Sequence, residues 1–247
     1  MSPTKERGAH NVATGTARTG VNKVKSVLAK IRRQWLVVLD LDRTLFNTAQ
    51  MYEDLTDMIA STWGTQVAQQ MRSHEAASEH LDPFKYLEEA HGITYDSVVS
   101  AFSTYQAQKY PDGHSYLYPD VTGLLAYLRR RPRTVVRIVT TGTELSQRFK
   151  LAISPELRGI GAEIISGNKG ERLENAFSQA GAISLGGRHF EYFVIVDDKD
   201  SALTPIEAHD RRLLIHLLRP NAKFKDRTGR SDVREITSLD EIPAIMR

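Results

Sequence analysis

The 247-residue chain contains no cysteine. That absence excludes disulfides, thiolate nucleophiles, zinc–thiolate sites and iron–sulfur clusters, and it accords with a reducing cytoplasm. Also missing is any apolar run near the roughly 18 residues that a membrane-spanning helix requires. No apolar stretch followed by a small-residue cleavage site opens the chain, so a secretory signal is not expected, although an Arg-rich, acid-poor start is also a transit-peptide composition. Acids are scarce in one place only. Residues 1–33 hold eight Lys and Arg against the single Glu6, a local charge of +7. The whole chain carries +3, so residues 34–247 carry −4. The basic balance, with its pI near 9.0, belongs to the amino-terminal segment and not to the folded body.

What is present is ordinary for a globular protein. Hydrophobic residues make up 40% and charged residues 26%, enough for a large buried core and far from collagen-like, coiled-coil or wholly disordered compositions. Residues 1–20 have almost no large apolar side chains and are expected to form a flexible basic tail. Val21, Val24, Leu28 and Ile31 then recur at three- and four-residue steps among five lysines and arginines, predicting a basic amphipathic helix over 21–33. Such a helix either contacts nucleic acid or an anionic lipid surface, or packs its apolar stripe and leaves a solvated basic face. No aromatic residue interleaves the basic ones, which favours the second.

Five short, continuously apolar runs predict strands buried on both faces: 35–39, 135–139, 162–165, 192–196 and 213–218. Helical stretches at 121–130, 144–153 and 169–180 separate most of them, the signature of an α/β fold with a parallel sheet. About 90 residues divide the first two strands, far more than a crossover needs. Met51, Leu55, Met58, Ile59, Trp63 and Val67 share a helical face there. Asp82-Pro83 starts a second helix that Gly92 stops, and Val98, Val99, Phe102 and Tyr105 suggest a third. The expectation is an α/β core from residues 21–46 and 116–247 interrupted by a helical insertion at 47–115, large enough to pack as its own lobe.

The first strand ends in Asp40-Leu-Asp42, two carboxylates two residues apart. Tyr192 to Val196 runs straight into Asp197-Asp198. Ligands bind beyond the carboxyl ends of strands in an open parallel sheet, and acids gathered there suit a hard cation such as Mg²⁺. Each motif alone is also compatible with an ordinary turn or helix cap.

The ordered set of motifs resembles the haloacid dehalogenase superfamily of phosphatases and phosphotransferases. Asp40-Leu-Asp42-Arg-Thr44 is similar to the first motif and Ile138-Val-Thr140-Thr-Gly142 to the second. Lys169 in Gly167-Asn-Lys169-Gly is similar to the third, and Val196-Asp197-Asp198 to the fourth. The resemblance implies a Rossmann-like sheet of about five strands, with helices on both faces and the first strand between the second and fourth. It implies that Asp40 attacks phosphorus and that Asp42 serves as acid and then base. Thr140, Thr141, Gly142 and Lys169 would bind the phosphoryl group. Mg²⁺ would be held by Asp40, Asp198, the Asp42 carbonyl and, in a supporting role, Asp197. Thr140 aligns best at the second motif, with Thr141 the near alternative, and Asp197 and Asp198 could exchange. Arg43 stands where many members carry glycine, so a different turn is expected there.

The function implied is hydrolysis of a small phosphate monoester through an aspartyl-phosphate. A phosphomutase on the same scaffold and a non-catalytic binding protein that uses its basic segment are the alternatives. Asp42 separates the chain from dehalogenase members, which lack that second acid. Neither substrate nor oligomeric state is legible.

Overall fold

A computed structural model describes residues 34–77, 82–177, 182–185, 188–219 and 229–246. The tail at 1–20 and the basic helix expected at 21–33 lie outside them. The strands are β1 (Trp35–Leu39), β2 (Thr134–Thr141), β3 (Gly161–Ile165), β4 (Ile183–Leu185), β5 (Arg188–Phe190), β6 (Tyr192–Asp197), β7 (Arg212–Leu217) and β8 (Val233–Ile236). Six of them form one sheet in the order β3-β2-β1-β6-β7-β8, with every neighbouring pair parallel. Thus β1 lies between the second and the sixth strand. Leu39 pairs with both Ile138 and Val196, so these strands end level and their following residues share one edge.

Side-chain alternation divides the apolar residues between two cores. Val37, Leu39, Ile138, Val194, Val196 and Ile215 face one side, and Leu36, Val38, Val139, Phe193, Ile195 and Leu214 the other. Both faces are covered by helices, which is why these strands are apolar at every position. The sheet exceeds the expected five strands. β8 is a four-residue Val-Arg-Glu-Ile stretch with only its ends buried. The hairpin of β4 and β5 has three-residue strands, too short for periodicity to register.

The helices between β1 and β2 are α1 (Thr48–Trp63), α2 (Thr65–Ala77), α3 (Pro83–His91) and α4 (Tyr95–Lys109). The single helical face expected across 51–67 is divided between α1 and α2, because the chain turns at Gly64. α3 begins where Asp82 accepts the amide of Phe84 at 3.0 Å, with Pro83 in its first turn. It ends where Gly92 takes the left-handed conformation that lets its amide reach the Glu88 carbonyl. The remaining helices are α5 (Pro119–Arg130), α6 (Glu144–Ala152), α7 (Lys169–Glu174), α8 (Asp200–Leu203) and α9 (Ile242–Ile245). No described helix is long and apolar enough to cross a membrane.

Two connecting strands carry the helical insertion. The Asn47 amide donates to the Tyr116 carbonyl at 2.7 Å and the Tyr118 amide to the Leu45 carbonyl at 2.9 Å. Buried Asp54 of α1 accepts from Lys109 Nζ, the Tyr110 hydroxyl and the Tyr116 hydroxyl at 2.7, 2.8 and 2.6 Å, tying α1 to the end of α4 and to the return segment. Apolar packing completes the attachment. The Phe84 ring of α3 lies 4.8 Å from that of Phe149 on α6 and 5.5 Å from that of Tyr95.

Phe84 is buried and bridges insertion to core. Phe84→Ala is expected to lower unfolding free energy by about 3–5 kcal/mol. Denaturant unfolding checks this. A loss below about 1 kcal/mol would mean that the insertion does not share the core's cooperative unit.

Candidate active site

β1 and β6 end at the same sheet edge, so Asp40 and Asp197 meet there, and Asp198 follows. One carboxylate oxygen from each of Asp40, Asp197 and Asp198 lies within 4.8 Å of the other two, and all three residues are buried. A loop from β3 brings in Lys169 at the first position of α7. Asn168 caps this short helix by accepting the Glu171 amide at 3.2 Å. Gly170 permits the approach: a Cβ there would sit 2.5 Å from the Ala202 carbonyl and 2.8 Å from the Pro205 ring. α7 thereby packs against the segment that follows Asp198. The Lys169 ammonium bonds Asp40 Oδ1 at 2.5 Å and the Val139 carbonyl at 3.1 Å, and it pairs with Asp197.

Two carboxylates thus share one ammonium, with Asp198 beside them. Burial opposes charge on Lys169, but Asp197 and Asp40 outweigh it and raise its pKa. Burial raises the pKa of Asp40 well above the usual carboxylate range, with Asp197, Asp198 and Asp42 adding to it against the pull of Lys169. Burial and the Asp197 charge push Asp198 up to about 7. One oxygen of Asp198 is buried with no hydrogen-bond partner. A converging all-oxygen set with excess negative charge and an orphaned oxygen fits a hard divalent cation. Asp40, Asp197 and Asp198 would hold it.

Asp42 stands apart. Its Oδ1 accepts from the Thr48 hydroxyl and from Lys150 Nζ, each at 2.5 Å, and its Oδ2 accepts from Gln147 Nε2 at 2.8 Å. Burial favours the neutral form, but the Lys150 charge and these hydrogen bonds prevail and hold its pKa below the ordinary value. Thr48 opens α1, while Gln147 and Lys150 lie one turn apart on α6. The Asp42 carboxylate is therefore occupied by its own donors rather than joined to the acidic cluster.

A cavity of about 220 Å³ opens at this edge, lined by Asp40, Asp42, Thr141, Lys169, Asp197 and the loops at 167–168 and 199–202. Thr140 does not line it. Ile138 faces the first core and Val139 the second, so Thr140 continues toward α6 and Thr141 toward the cavity. The Thr140 hydroxyl is fully buried, 3.5 Å from Gln147 Oε1. Alternation counted from Val38 to Asp40 and from Val139 to Thr141 would have selected Thr141. Gly142 also lies off the lining. It adopts φ +145°, and a Cβ there would lie 2.4 Å from Gln147 Nε2, so it leaves room for the amide that holds Asp42. Lys150, Gln147 and Thr48 were not recognised from sequence. Lysine and glutamine on an amphipathic helix look solvated until the fold shows what they face. Arg43 takes φ +60°, the left-handed conformation that glycine adopts freely and that costs a non-glycine residue about 1–2 kcal/mol.

No family model and no curated protein matches the chain. Solved structures do. A protein from Burkholderia xenovorans LB400, described as a haloacid dehalogenase-like hydrolase, is 16% identical over 86% of this chain and 96% of its own, with a TM-score of 0.51. A haloacid dehalogenase-like family hydrolase from Xanthomonas campestris is 15% identical over 87% and 95%, with a TM-score of 0.48. The chain has the haloacid dehalogenase-like fold. In this sheet β1 is third of six strands, so its end, Asp40, lies near the middle of the carboxyl edge.

The shifted carboxylates give a stability signature. Between about pH 4 and 7 the native cluster binds protons that the unfolded chain has released, so stability falls as pH rises. Asp42, lowered instead, is ionised in both states over this window and adds no slope. The metal-free protein should therefore lose several degrees of melting temperature between pH 5 and 8. Mg²⁺ should restore more at pH 8 than at pH 5. Asp198→Asn should flatten both responses. Thermal melts across pH test this, and a metal-free melting temperature that rises over the window contradicts the cluster.

Proposed function

We propose that the chain is a Mg²⁺-dependent phosphoric monoester hydrolase of the haloacid dehalogenase superfamily, acting in the cytoplasm on a small phosphorylated metabolite. The observation that carries this reading is the convergence of Asp40, Asp197 and Lys169 on one cavity, with Asp198 completing their acidic cluster and a fourth carboxylate, Asp42, at the cavity wall.

Asp40 is the nucleophile. Its carboxylate attacks phosphorus and becomes the acyl group of an aspartyl-phosphate. Lys169 orients Asp40 and balances the charge that the phosphoryl group brings beside it. Thr141, the near alternative to Thr140 at the second motif, donates its hydroxyl to a phosphoryl oxygen. Asp42 transfers protons, first to the leaving oxygen and then from the attacking water. A bound Mg²⁺ would offset repulsion between the carboxylates and the phosphate. The cavity of about 220 Å³ suits a phosphoryl group with a small leaving group. In this reading the insertion at 47–115 is a cap, and Thr48, at the start of α1, is its contact with Asp42.

Hydrolysis of 4-nitrophenyl phosphate with and without Mg²⁺ tests the assignment. Asp40→Asn should lose about three orders of magnitude or more in kcat, and chelation of the metal should abolish turnover. Free phosphate should be the product. Undiminished activity in Asp40→Asn would sink the mechanism, and transfer of the phosphoryl group to a second hydroxyl of the substrate would identify a mutase instead.

A further inference from the structure

The lysine of the acidic cluster has a counterpart on the other side of the cavity. Lys150 projects from α6 with only 4% of its side chain exposed. Its nearest charged partner is Asp42, at 2.5 Å. Burying an ammonium is unfavourable unless it is paired, so a lysine in this position is held by that carboxylate. Gln147, one turn earlier on the same helix, completes the grip. Its amide bridges Asp42 Oδ2 at 2.8 Å and the Thr141 carbonyl at 3.2 Å, linking Asp42 to the strand that carries the cavity-lining threonine. With Thr48, three of the four lone-pair directions of the Asp42 carboxylate are occupied. The side chain is nonetheless 21% exposed and lines the cavity. One acceptor direction remains for a group in that space.

Three donors on α1 and α6 fix the orientation of the Asp42 carboxylate at the cavity wall. We propose that Lys150 is a positioning residue that fixes Asp42 as the base for the second half-reaction, hydrolysis of phosphorylated Asp40. This rests on the hydrolase reading above. In that step a water oxygen forms a bond to phosphorus while the bond from phosphorus to the Asp40 carboxylate oxygen breaks. The water proton passes to Asp42, Asp40 is regenerated as a carboxylate, and inorganic phosphate leaves. Lys150 touches neither phosphorus nor water. It acts by holding Asp42 in one orientation.

The two half-reactions separate kinetically on 4-nitrophenyl phosphate. Its leaving group needs little protonation, so kcat/KM reports phosphorylation of Asp40, while kcat reports hydrolysis of the intermediate once that step is slow. Lys150→Met should lower kcat by about 10- to 100-fold, less than the roughly 100- to 10,000-fold of a proton-transfer contribution lost outright, because Asp42 itself remains. It should leave kcat/KM within about threefold. A burst of one nitrophenolate per chain should appear, and the phosphorylated chain should accumulate, detected by intact mass after acid quench. Lys150→Arg should recover most of kcat. Adding Lys150→Met to Asp42→Asn should cost nothing further, since the lysine works through that carboxylate.

If Lys150→Met melts at the assay temperature, Gln147→Leu carries the same test, with the same burst expected. Equal losses in kcat and kcat/KM without a burst, or an additive loss on top of Asp42→Asn, would overturn the proposal and leave Lys150 as support for the fold. Failure of the hydrolase reading looks different. In that case wild type forms no phosphorylated chain under any quench, or Asp40→Asn remains active whatever happens at Lys150.

Discussion

The site depends on one ammonium group shared among buried carboxylates. Lys169 reaches Asp40 and Asp197 together, and those two side chains come from strand ends more than 150 residues apart in sequence. Without that cation, three acids would lie within 4.8 Å of one another in a buried space, where like charges repel strongly and desolvation favours protonation. With it, the cluster still carries one cation against three potential anions. Burial, with this imbalance adding to it, raises the pKa values of Asp40 and Asp198, and the excess negative charge makes the cluster receptive to a divalent cation. The α/β scaffold provides the convergence, since parallel strands in register deliver their following residues to one edge. α7 provides the counter-charge, and Gly170 lets it sit close enough.

A second lysine divides the acids into two groups with opposite electrostatics. Asp40, Asp197 and Asp198 are crowded, and burial raises Asp40 and Asp198. Asp42, two residues from Asp40, is lowered because Lys150, Gln147 and Thr48 all donate to it. Environments that drive neighbouring carboxyl groups apart in this way are what acid–base chemistry requires. Sequence adjacency put Asp40 and Asp42 in one motif, but the structure gives them separate partners. The donors to Asp42 come from both sides of the β1 turn: α6 belongs to the sheet's own connections and α1 to the inserted helices.

Much of this was legible before any coordinates. The continuous apolar runs of β1 and β6 announced strands buried on both faces, and the acids directly after them announced the edge. Lys169 became visible only through the ordered set of motifs, as the lysine of Gly167-Asn-Lys169-Gly that opens a helix. Three things were not legible. The Thr140 assignment followed alignment rather than strand parity, which moves the hydroxyl from one face of the sheet to the other. Lys150 bonds a residue 108 positions away, and nothing local distinguishes a lysine on α6 from a solvated one. The β4 and β5 hairpin and β8 are short enough that tertiary packing, not local pattern, decides them.

The turn between Asp40 and α1 explains how the two groups stay distinct. Arg43 holds φ +60° there, and such strain persists only where the surroundings over-determine it. The Arg43 amide donates to the Phe46 carbonyl at 2.9 Å, and the amides of Leu45 and Phe46 both donate to the Leu41 carbonyl, at 3.0 and 2.9 Å. Arg219, at the end of β7, then clamps the turn from outside. It donates to the Thr44 carbonyl at 2.8 Å while paired in bidentate fashion with Asp120 at 2.6 and 2.9 Å, and it stacks 4.1 Å over the Tyr118 ring. Asp120 in turn accepts the Leu239 amide and the Ser238 hydroxyl, so the clamp is anchored to the chain after β8. A tight turn fixed from within by three backbone bonds and from without by a buried guanidinium cannot easily relax. Its rigidity keeps Asp42 beside α6 while Asp40 stays at the strand end, so each carboxylate meets its own lysine.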